Sequence, residues 1–405
     1  MPLNNNLNNK QCLGIEKTVL LEKGGAYTAA EITQQPEVWN DVLSLVTARR
    51  EQITQFLGPL LYQKELRIIL TGAGTSAFIG KCLAPLMLNT LRRRVEAIPT
   101  TDLVAGPEIY FQSDVPTLMV SFARSGSSPE SLAAVNLANS LCKFIHHIIF
   151  TCNEQGELLL TSQSKTNVLA LLLPHETHDR GFAMTSSFTS MLYSASLVFG
   201  LVSASPKNCQ AMSLAAADVI ERAMPLVQSL VSRQFKRVVY LGSNELRGLA
   251  EEAALKLLEL TDGQIVASYD SPLGFRHGPK TIVNAQTLVV LFLSNHVYTR
   301  QYDLDLLREL QVDGKAGSVV ALSAQGAHND LEDNPNYFQI AGMDEANNLE
   351  LALPYIVFAQ IFAFWESLTL GITPDSPSVS GTVNRVVQGV NIYPLLNEVA
   401  DVSGR

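Results

Sequence analysis

The chain has 405 residues, of which 47% are hydrophobic and 17% are charged, and its formal net charge is -9. This length and composition predict a globular protein of two or three compact domains. The acidic balance, with a pI near 5.3, excludes a nucleic-acid partner, because a phosphate backbone requires a basic surface.

No segment reaches the roughly 18–20 uninterrupted apolar residues of a membrane-spanning helix. The longest apolar stretch, 355–370, contains Gln360, Glu366 and Ser367, which predicts a buried helix of a globular domain. The start of the chain lacks the pattern of a signal peptide, and the five scattered cysteines contain no C-x-x-C pair. We therefore expect a cytoplasmic protein with reduced thiols and no membrane partner.

The first elements in chain order are helical. Residues 1–50 read as an N-terminal helical segment, in which 33–36 are predicted to cap a helix over 37–57. Further along, Arg92-Arg93-Arg94 is the only basic run. We expect it to close a helix before a strand at Val95, because cations stabilise a helix C-terminus.

The sequence then contains an internal repeat. Similar segments recur at one constant offset, the distance along the chain from Gly72 to Gly242, and each of these glycines ends an apolar run. The matched segments are 67–72 with 237–242, 95–97 with 265–267, 117–122 with 287–292, and 149–156 with 319–326. Each copy alternates short β-branched runs with helical stretches such as 131–141 and 246–260. This alternation predicts a parallel sheet with helices on both faces.

The predicted fold class is α/β, with two tandem doubly wound parallel-sheet domains of the Rossmann type. The first domain is expected at 51–205 and the second at 212–372, followed by a tail at 373–405 that folds back over the site. Ligands of such sheets bind in the loops beyond the carboxyl ends of the strands.

Two loops of the first copy indicate an anion site. Residues 72–77 (GAGTSA) match a dinucleotide fingerprint, with Glu96 where a ribose-binding acid would lie. The loop 123–131 (ARSGSSPES) places a cluster of hydroxyls and an arginine before a predicted helix. Helix N–H groups, hydroxyls and a guanidinium together predict a cup for one phosphate. The residues of this phosphate cup are Thr75, Ser76, Arg124, Ser125 and Ser128.

Ordinary helix capping is the alternative, but one cap explains one hydroxyl and not the cluster. The second copy has lost the hydroxyl cluster at 293–299 while it keeps the strands. The serines are therefore not required by the fold.

The second copy carries its own polar residues. Glu252, Lys256 and Glu259 are spaced to share one helix face, for which a solvated ion-pair stripe is the alternative. His277 lies in a turn-rich loop, 271–280. The segment His175-Glu-Thr-His178-Asp179 comes nearest to metal-ligand spacing and is not favoured as a metal site.

This combination resembles the SIS (sugar isomerase) family of phosphosugar-binding proteins over about residues 50–390. The matching motifs are Gly74-Thr75-Ser76, the loop 123–128, Glu252-Ala-Ala-Leu-Lys256-Leu-Leu-Glu259 and Arg276-His277-Gly278-Pro279. Within the family, 275–280 and 381–390 are most similar to the galactosamine-6-phosphate deaminase/isomerase group.

The resemblance implies that the phosphate cup and Lys256 bind a sugar phosphate, that His277 opens the ring, and that Glu259 moves a proton between C1 and C2. It implies conversion of galactosamine 6-phosphate to tagatose 6-phosphate and ammonia, without a metal or organic cofactor. It also implies a homodimer or higher homo-oligomer in which His277 completes a neighbour's site. Arg385 stands where a related synthase has a lysine, and since arginine keeps its proton, it is expected at most to steady an oxyanion.

Three other functions stay open from the sequence. A ketose/aldose phosphosugar isomerase without deamination needs the same residues, because they do not separate an amine from a hydroxyl at C2. An NAD-dependent dehydrogenase rests on the loop 72–77 alone. A non-catalytic phosphosugar sensor would lack the acid and the base.

Overall fold

The computed structural model describes residues 11–326, 336–378, 380–381, 383–387 and 389–395. A short hairpin begins the described chain, with strands β1 (Gln11–Cys12) and β2 (Ile15–Glu16). Three helices follow: α1 (Lys17–Glu22), α2 (Ala26–Ala48) and α3 (Arg50–Leu61).

The predicted helix over 37–57 is wrong in both its start and its continuity. Helix α2 begins ahead of the expected cap and runs through Pro36. A proline leaves the carbonyl four residues earlier without its helical partner, but here Gln35 Nε2 donates to Ile32 O at 3.0 Å. The chain then leaves helical geometry at Arg49 (φ -98°, ψ 8°), where α2 ends and α3 begins.

The first domain contains a five-stranded, all-parallel sheet in the order β4-β3-β5-β6-β7. Its strands are β3 (Arg67–Thr71), β4 (Arg94–Ala97), β5 (Thr117–Ala123), β6 (Ile145–Thr151) and β7 (Val168–Leu172). Its helices are α4 (Thr75–Leu91), α5 (Thr100–Ala105), α6 (Pro107–Tyr110), α7 (Pro129–Leu141), α8 (Glu157–Leu160) and α9 (Ser186–Val198), with a 3-10 turn at His175–Thr177. The basic run closes α4 as predicted, since Arg92 adopts the left-handed conformation (φ 52°) at its end.

The second domain repeats this order as β9-β8-β10-β11-β12, again all parallel. Helices α10 (Pro206–Arg222) and α11 (Met224–Val231) lead into it. Its strands are β8 (Arg237–Gly242), β9 (Val266–Asp270), β10 (Thr287–Phe292), β11 (Ser318–Ser323) and β12 (Tyr337–Gln339). Its helices are α12 (Glu245–Leu260), α13 (Pro272–Phe275), α14 (Val297–Asp313) and α15 (Asn348–Thr369), with a 3-10 turn at Pro279–Ile282. The duplicated α/β fold is therefore confirmed.

The constant offset between the copies holds for only two of the four matched segments. It is correct for β3 with β8 and for β5 with β10, because Arg67 pairs with Thr117 and Arg237 with Thr287. The other two matches are off by two residues: the β9 and β11 registers lie two residues later than the offset predicts. The connection to β9 is longer in the second copy and turns through Asp262 and Gly263, both with positive φ.

The two domains share one hydrophobic core around α12, which packs against both α4 and α15. Helix α15 is apolar and long enough to span a membrane, but 94% of its apolar window is buried, which confirms the predicted core helix. Gly248 allows α12 to approach α4 closely, because a Cβ there would lie 2.7 Å from Cys82 N. Lys81 on α4 forms an ion pair with Glu251 on α12 (2.7 Å). This crossing brings the two domains' loops together.

Candidate active site

The helix crossing joins the polar face of the second domain to the phosphate cup of the first. Lys256 is fully buried, and its Nζ donates to Thr75 Oγ1 at 2.9 Å and to Glu259 Oε2. Glu252 Oε1 lies 3.5 Å from the same Nζ. Because Glu252 and Lys256 side chains are both 0% exposed while Glu259 is 21% exposed, the solvated ion-pair stripe is wrong.

Burial sets the charges in this cluster. It raises the pKa of Glu252 to about 8, a rise that Lys256 only partly opposes. Burial would lower the pKa of Lys256, but the carboxylates of Glu252 and Glu259 outweigh it and raise that pKa instead. At neutral pH these shifts leave Lys256 as an ammonium and Glu252 as a protonated carboxyl. Of the two carboxyl groups in this cluster, only that of Glu259 is partly exposed, so it can contact a ligand.

The phosphate cup is formed at the carboxyl ends of two adjacent strands, β3 and β5. Ser76 lies in the first turn of α4, where no side chain caps the helix. Ser128 occupies the N-cap position of α7, yet it makes no cap hydrogen bond and its Oγ donates to Ser131 Oγ instead (2.7 Å). The capping alternative therefore does not account for Ser128. Gly126 (φ 66°) turns the loop between Ser125 and Ser128.

Two guanidinium groups support the cup without a carboxylate partner. Arg124, 7% exposed, donates to Phe182 O (3.0 Å) and Arg385 O (2.7 Å). Neither Arg124 nor Arg385 forms an ion pair with any described residue. The pKa of His178 is lowered by burial and further by these two cations. Arg385 is exposed, but Arg124 is buried. Because a buried cation normally has an anionic partner, the position of Arg124 suits a phosphate.

Arg385 lies in the described part of the tail and contacts residues of the first domain. Its guanidinium donates to Gly181 O (3.2 Å) and Asp179 O, while its own carbonyl accepts from Arg124. The side chain thus holds the tail against a loop. To steady an oxyanion, as the sequence predicts, it would have to leave these carbonyls.

Sequence reasoning missed the residue that organises this loop. The carboxylate of Asp179, fully buried, accepts from the backbone N–H groups of Thr185 (2.8 Å), Ser186 (3.1 Å) and Ser187 (3.0 Å) at the start of α9. Glu31 of α2 accepts from the N–H of Gly181 (3.2 Å). Because these bonds occupy the Asp179 carboxylate, they also argue against a metal site there. An acid followed by Thr-Ser-Ser was the available signal.

The structure does not bring His277 to the other site residues within one chain. It is exposed and follows α13, and no described hydrogen bond or ion pair joins it to Glu259, Lys256 or the phosphate cup. Its neighbour Arg276 pairs with Glu309 (2.7 Å). Its role in ring opening therefore stays a prediction.

A dinucleotide site at the loop 72–77 needs Glu96 to bind the ribose, but the structure places Glu96 between two arginines. Glu96 Oε2 accepts from Arg67 Nε at 2.5 Å and lies 2.9 Å from Arg94 Nε. Burial would raise the pKa of Glu96, but the two arginines outweigh it and lower that pKa. A carboxylate held by two arginines is not available to a ribose hydroxyl, which counts against a dehydrogenase.

Duplicated parallel sheets with a phosphate cup in one copy and an acid–ammonium cluster in the other define a tandem SIS-domain protein. The family model described as "SIS domain" matches residues 60–200. D-galactosamine-6-phosphate deaminase AgaS of Escherichia coli is 47% identical over 378 residues, 91% of this chain and 96% of that protein. The protein of the same description from Shewanella sp. (strain ANA-3) is 43% identical over 380 residues, 93% of this chain and 94% of that one.

Among solved structures, tagatose-6-phosphate ketose/aldose isomerase from Escherichia coli superimposes with a TM-score of 0.80. It is 44% identical, and the match covers 92% of this chain and 98% of that one. The chain belongs to the SIS family, in the group of the D-galactosamine-6-phosphate deaminases AgaS.

Proposed function

We propose that the protein is an amino-sugar phosphate deaminase/isomerase, which converts D-galactosamine 6-phosphate and water to D-tagatose 6-phosphate and ammonia. The observation that carries this proposal is the contact of Lys256 with both Thr75 and Glu259. It links a phosphate cup to a partly exposed carboxylate across the domain boundary. The names of the relatives, which are 43–47% identical, support the same reaction.

In this proposal the first domain binds the phosphate end of the sugar. Each hydrogen bond from the cup to the phosphate is worth roughly 1.5–3 kcal/mol, because one partner is charged. The phosphate is remote from C1 and C2, so this binding energy orients the reacting carbons and holds them at Glu259. Arg124 supplies a permanent positive charge, and two backbone carbonyls already hold its side chain in place.

The second domain then rearranges the carbonyl end. After ring opening gives the C1 aldehyde, the Glu259 carboxylate removes the C2 proton while O1 gains a proton, which gives an enolamine. Return of the proton from Glu259 to C1 and loss of one N–H proton from the amine then give a C2 imine and a C1 hydroxyl. Water adds to the imine carbon, the C–N bond breaks, and ammonia leaves the C2 ketone. Lys256 holds Glu259 in place through their ion pair, whereas Glu252 stays neutral beside them.

We also propose that the enzyme is a homodimer or higher homo-oligomer in the cytoplasm, with His277 from a second copy opening the ring near neutral pH. The support is that His277 is exposed and makes no described hydrogen bond or ion pair with Glu259. Mixing inactive Glu259→Gln and His277→Ala proteins tests this. In a twofold dimer each mixed pair has one intact site, so activity returns to about a quarter of the wild-type value. No recovery after subunit exchange would contradict a shared site.

Ammonia release from D-galactosamine 6-phosphate tests the reaction itself. We expect Glu259→Gln to lower kcat by about 10²–10⁴-fold, the range for loss of a general base. Glu251→Gln is the matched control, because Glu251 lies on the same helix but pairs with Lys81. Full ammonia release by both Glu259→Gln and His277→Ala would rule out the proposed mechanism.

A ketose/aldose isomerase without deamination is the second candidate, and the name of the E. coli structural relative favours it. The two functions differ in the group at C2. Turnover of a neutral aldose 6-phosphate, with no ammonia from the amino sugar phosphate, would favour the isomerase.

A further inference from the structure

A cavity of about 460 Å³ lies where the internal duplication would place a second site. It is called the duplicate cavity below, and its lining includes Asn89, Asn244, Glu245, Asn295, His296 and Asn348. Its volume falls within the roughly 300–1,000 Å³ usual for small-molecule sites. The mechanism proposed above uses none of these residues.

Three parts of the lining of the duplicate cavity are counterparts of parts of the proposed catalytic site. Asn244 (φ 53°, ψ -118°), directly before α12, has the same unusual backbone conformation as Gly74 (φ 53°, ψ -128°), directly before α4. Glu245 then begins α12 as Thr75 begins α4. On the facing helix, Asn89 of α4 stands at the position that Glu259 has on α12.

The third part of the lining, at Asn295, also has a counterpart in the first copy. Asn295 follows β10 as Ser125 follows β5, and these two strands match at the constant offset between the copies. Lys81 and Glu251 are separated by the same offset and contact each other, as expected when two duplicated helices cross about a pseudo-twofold axis. The axis therefore generates two sites, of which the duplicate cavity is the second.

The chemistry of the duplicate cavity is the reverse of that of the phosphate cup. Glu245, Asp344 and Glu345 line it together with five asparagines, and no Lys or Arg is among its described lining residues. Glu245 is only 8% exposed, and its Oε2 accepts from Asn348 Nδ2 (2.7 Å), but no described cation pairs with it. These groups repel a phosphate and attract a cation.

A second observation points to a ligand with hydrogen-bond donors. Asn295 Nδ2 donates to Met343 O (2.8 Å) and Ala346 O (3.0 Å), which fixes the orientation of the amide. Its Oδ1 is buried and has no hydrogen-bond partner among the residues that the structure describes. A buried acceptor of this kind is normally satisfied. A hydroxyl or ammonium donor in the cavity would satisfy it.

We propose that the duplicate cavity binds an unphosphorylated amino sugar, that is, a small polyhydroxylated cation. Its ammonium group faces Glu245, and its hydroxyls bond to the asparagines around it. This inference goes beyond the proposed reaction and does not depend on it, because it uses neither the phosphate cup nor Glu259.

Calorimetric titration of the full chain with D-galactosamine and with neutral D-galactose tests the proposal. We expect D-galactosamine to bind the wild type and an Arg124→Ala/Ser125→Ala variant with equal affinity. We expect the affinity for D-galactose to be lower by about tenfold or more, since a hydrogen bond to a charged group contributes that much. Glu245→Gln should weaken D-galactosamine binding by about tenfold or more for the same reason.

Asn89→Leu is a second variant that narrows the duplicate cavity from an exposed position of α4, so it tests the site even if Glu245→Gln fails to fold. It should also weaken D-galactosamine binding. Absence of D-galactosamine binding to the wild type would overturn the proposal. So would binding that is lost in Arg124→Ala/Ser125→Ala, which would place the ligand in the phosphate cup, or binding that Asn89→Leu leaves unchanged.

Discussion

Replacing Glu252 with glutamine should change how the stability of the second domain depends on pH. The folded-state pKa of Glu252 is about 8 against an ordinary 4.5, so the folded chain holds this proton more tightly than the unfolded chain. Wild-type stability therefore falls as the pH rises from about 5 through 8, where the folded carboxyl ionises. Glutamine does not titrate and removes this contribution.

The magnitude follows from the size of the pKa shift. Each unit is worth about 1.36 kcal/mol, so ionised Glu252 destabilises the fold by roughly 4–5 kcal/mol above pH 8. We expect the free energy of unfolding of Glu252→Gln to exceed the wild-type value by about 4 kcal/mol more at pH 9 than at pH 5.

Urea unfolding of both proteins at pH 5 and pH 9, followed by circular dichroism, measures this difference. Glu251→Gln is the matched control, because it also removes one carboxyl from α12. Glu251 pairs with Lys81, so this change leaves Glu252 in its own surroundings. If Glu252→Gln and the wild type differ equally at the two pH values, Glu252 is not neutral in the folded protein. The charge assignment of the buried cluster would then be wrong.

Two further predictions concern the first domain. Arg124→Ala should raise the KM for the sugar phosphate by about 10–100-fold, through the loss of one charged hydrogen bond. A far-ultraviolet circular dichroism spectrum like that of the wild type checks that the variant folds. An unchanged KM would remove Arg124 from the phosphate cup. Asp179→Ala leaves three N–H groups at the start of α9 without their acceptor, so it should destabilise the domain by about 2 kcal/mol or more. A thermal unfolding midpoint equal to that of the wild type would contradict this.

The duplicated fold was predictable because its signals are local. Short β-branched runs that end in glycine mark β3 and β8 in the sequence itself. The two-residue shift at β9 and β11 was not predictable, since it arises in connections that no strand pattern records. The start of α2 was missed because a proline is most often found at the beginning of a helix. Inside α2, the side chain of Gln35 bonds to the carbonyl of Ile32 that Pro36 leaves without a partner, and the sequence pattern does not show this.

The candidate site was predictable as residue types but not as geometry. Spacing placed Lys256 and Glu259 on one helix face, yet their approach to Thr75 depends on how closely α4 and α12 cross at Gly248. The capping role of Asp179 was not predictable, because this residue lies several residues ahead of α9 and reaches it through a folded loop. The sequence predicted His277 as a site residue but carried no signal for where its loop lies relative to α12.

A crystal structure of Glu259→Gln with D-galactosamine 6-phosphate tests most directly whether the two domains divide the substrate between them. The account predicts the phosphate in contact with Ser76, Arg124, Ser125 and Ser128, and C1 and C2 next to position 259. A phosphate bound elsewhere, or a sugar whose C1 and C2 lie away from α12, would contradict it.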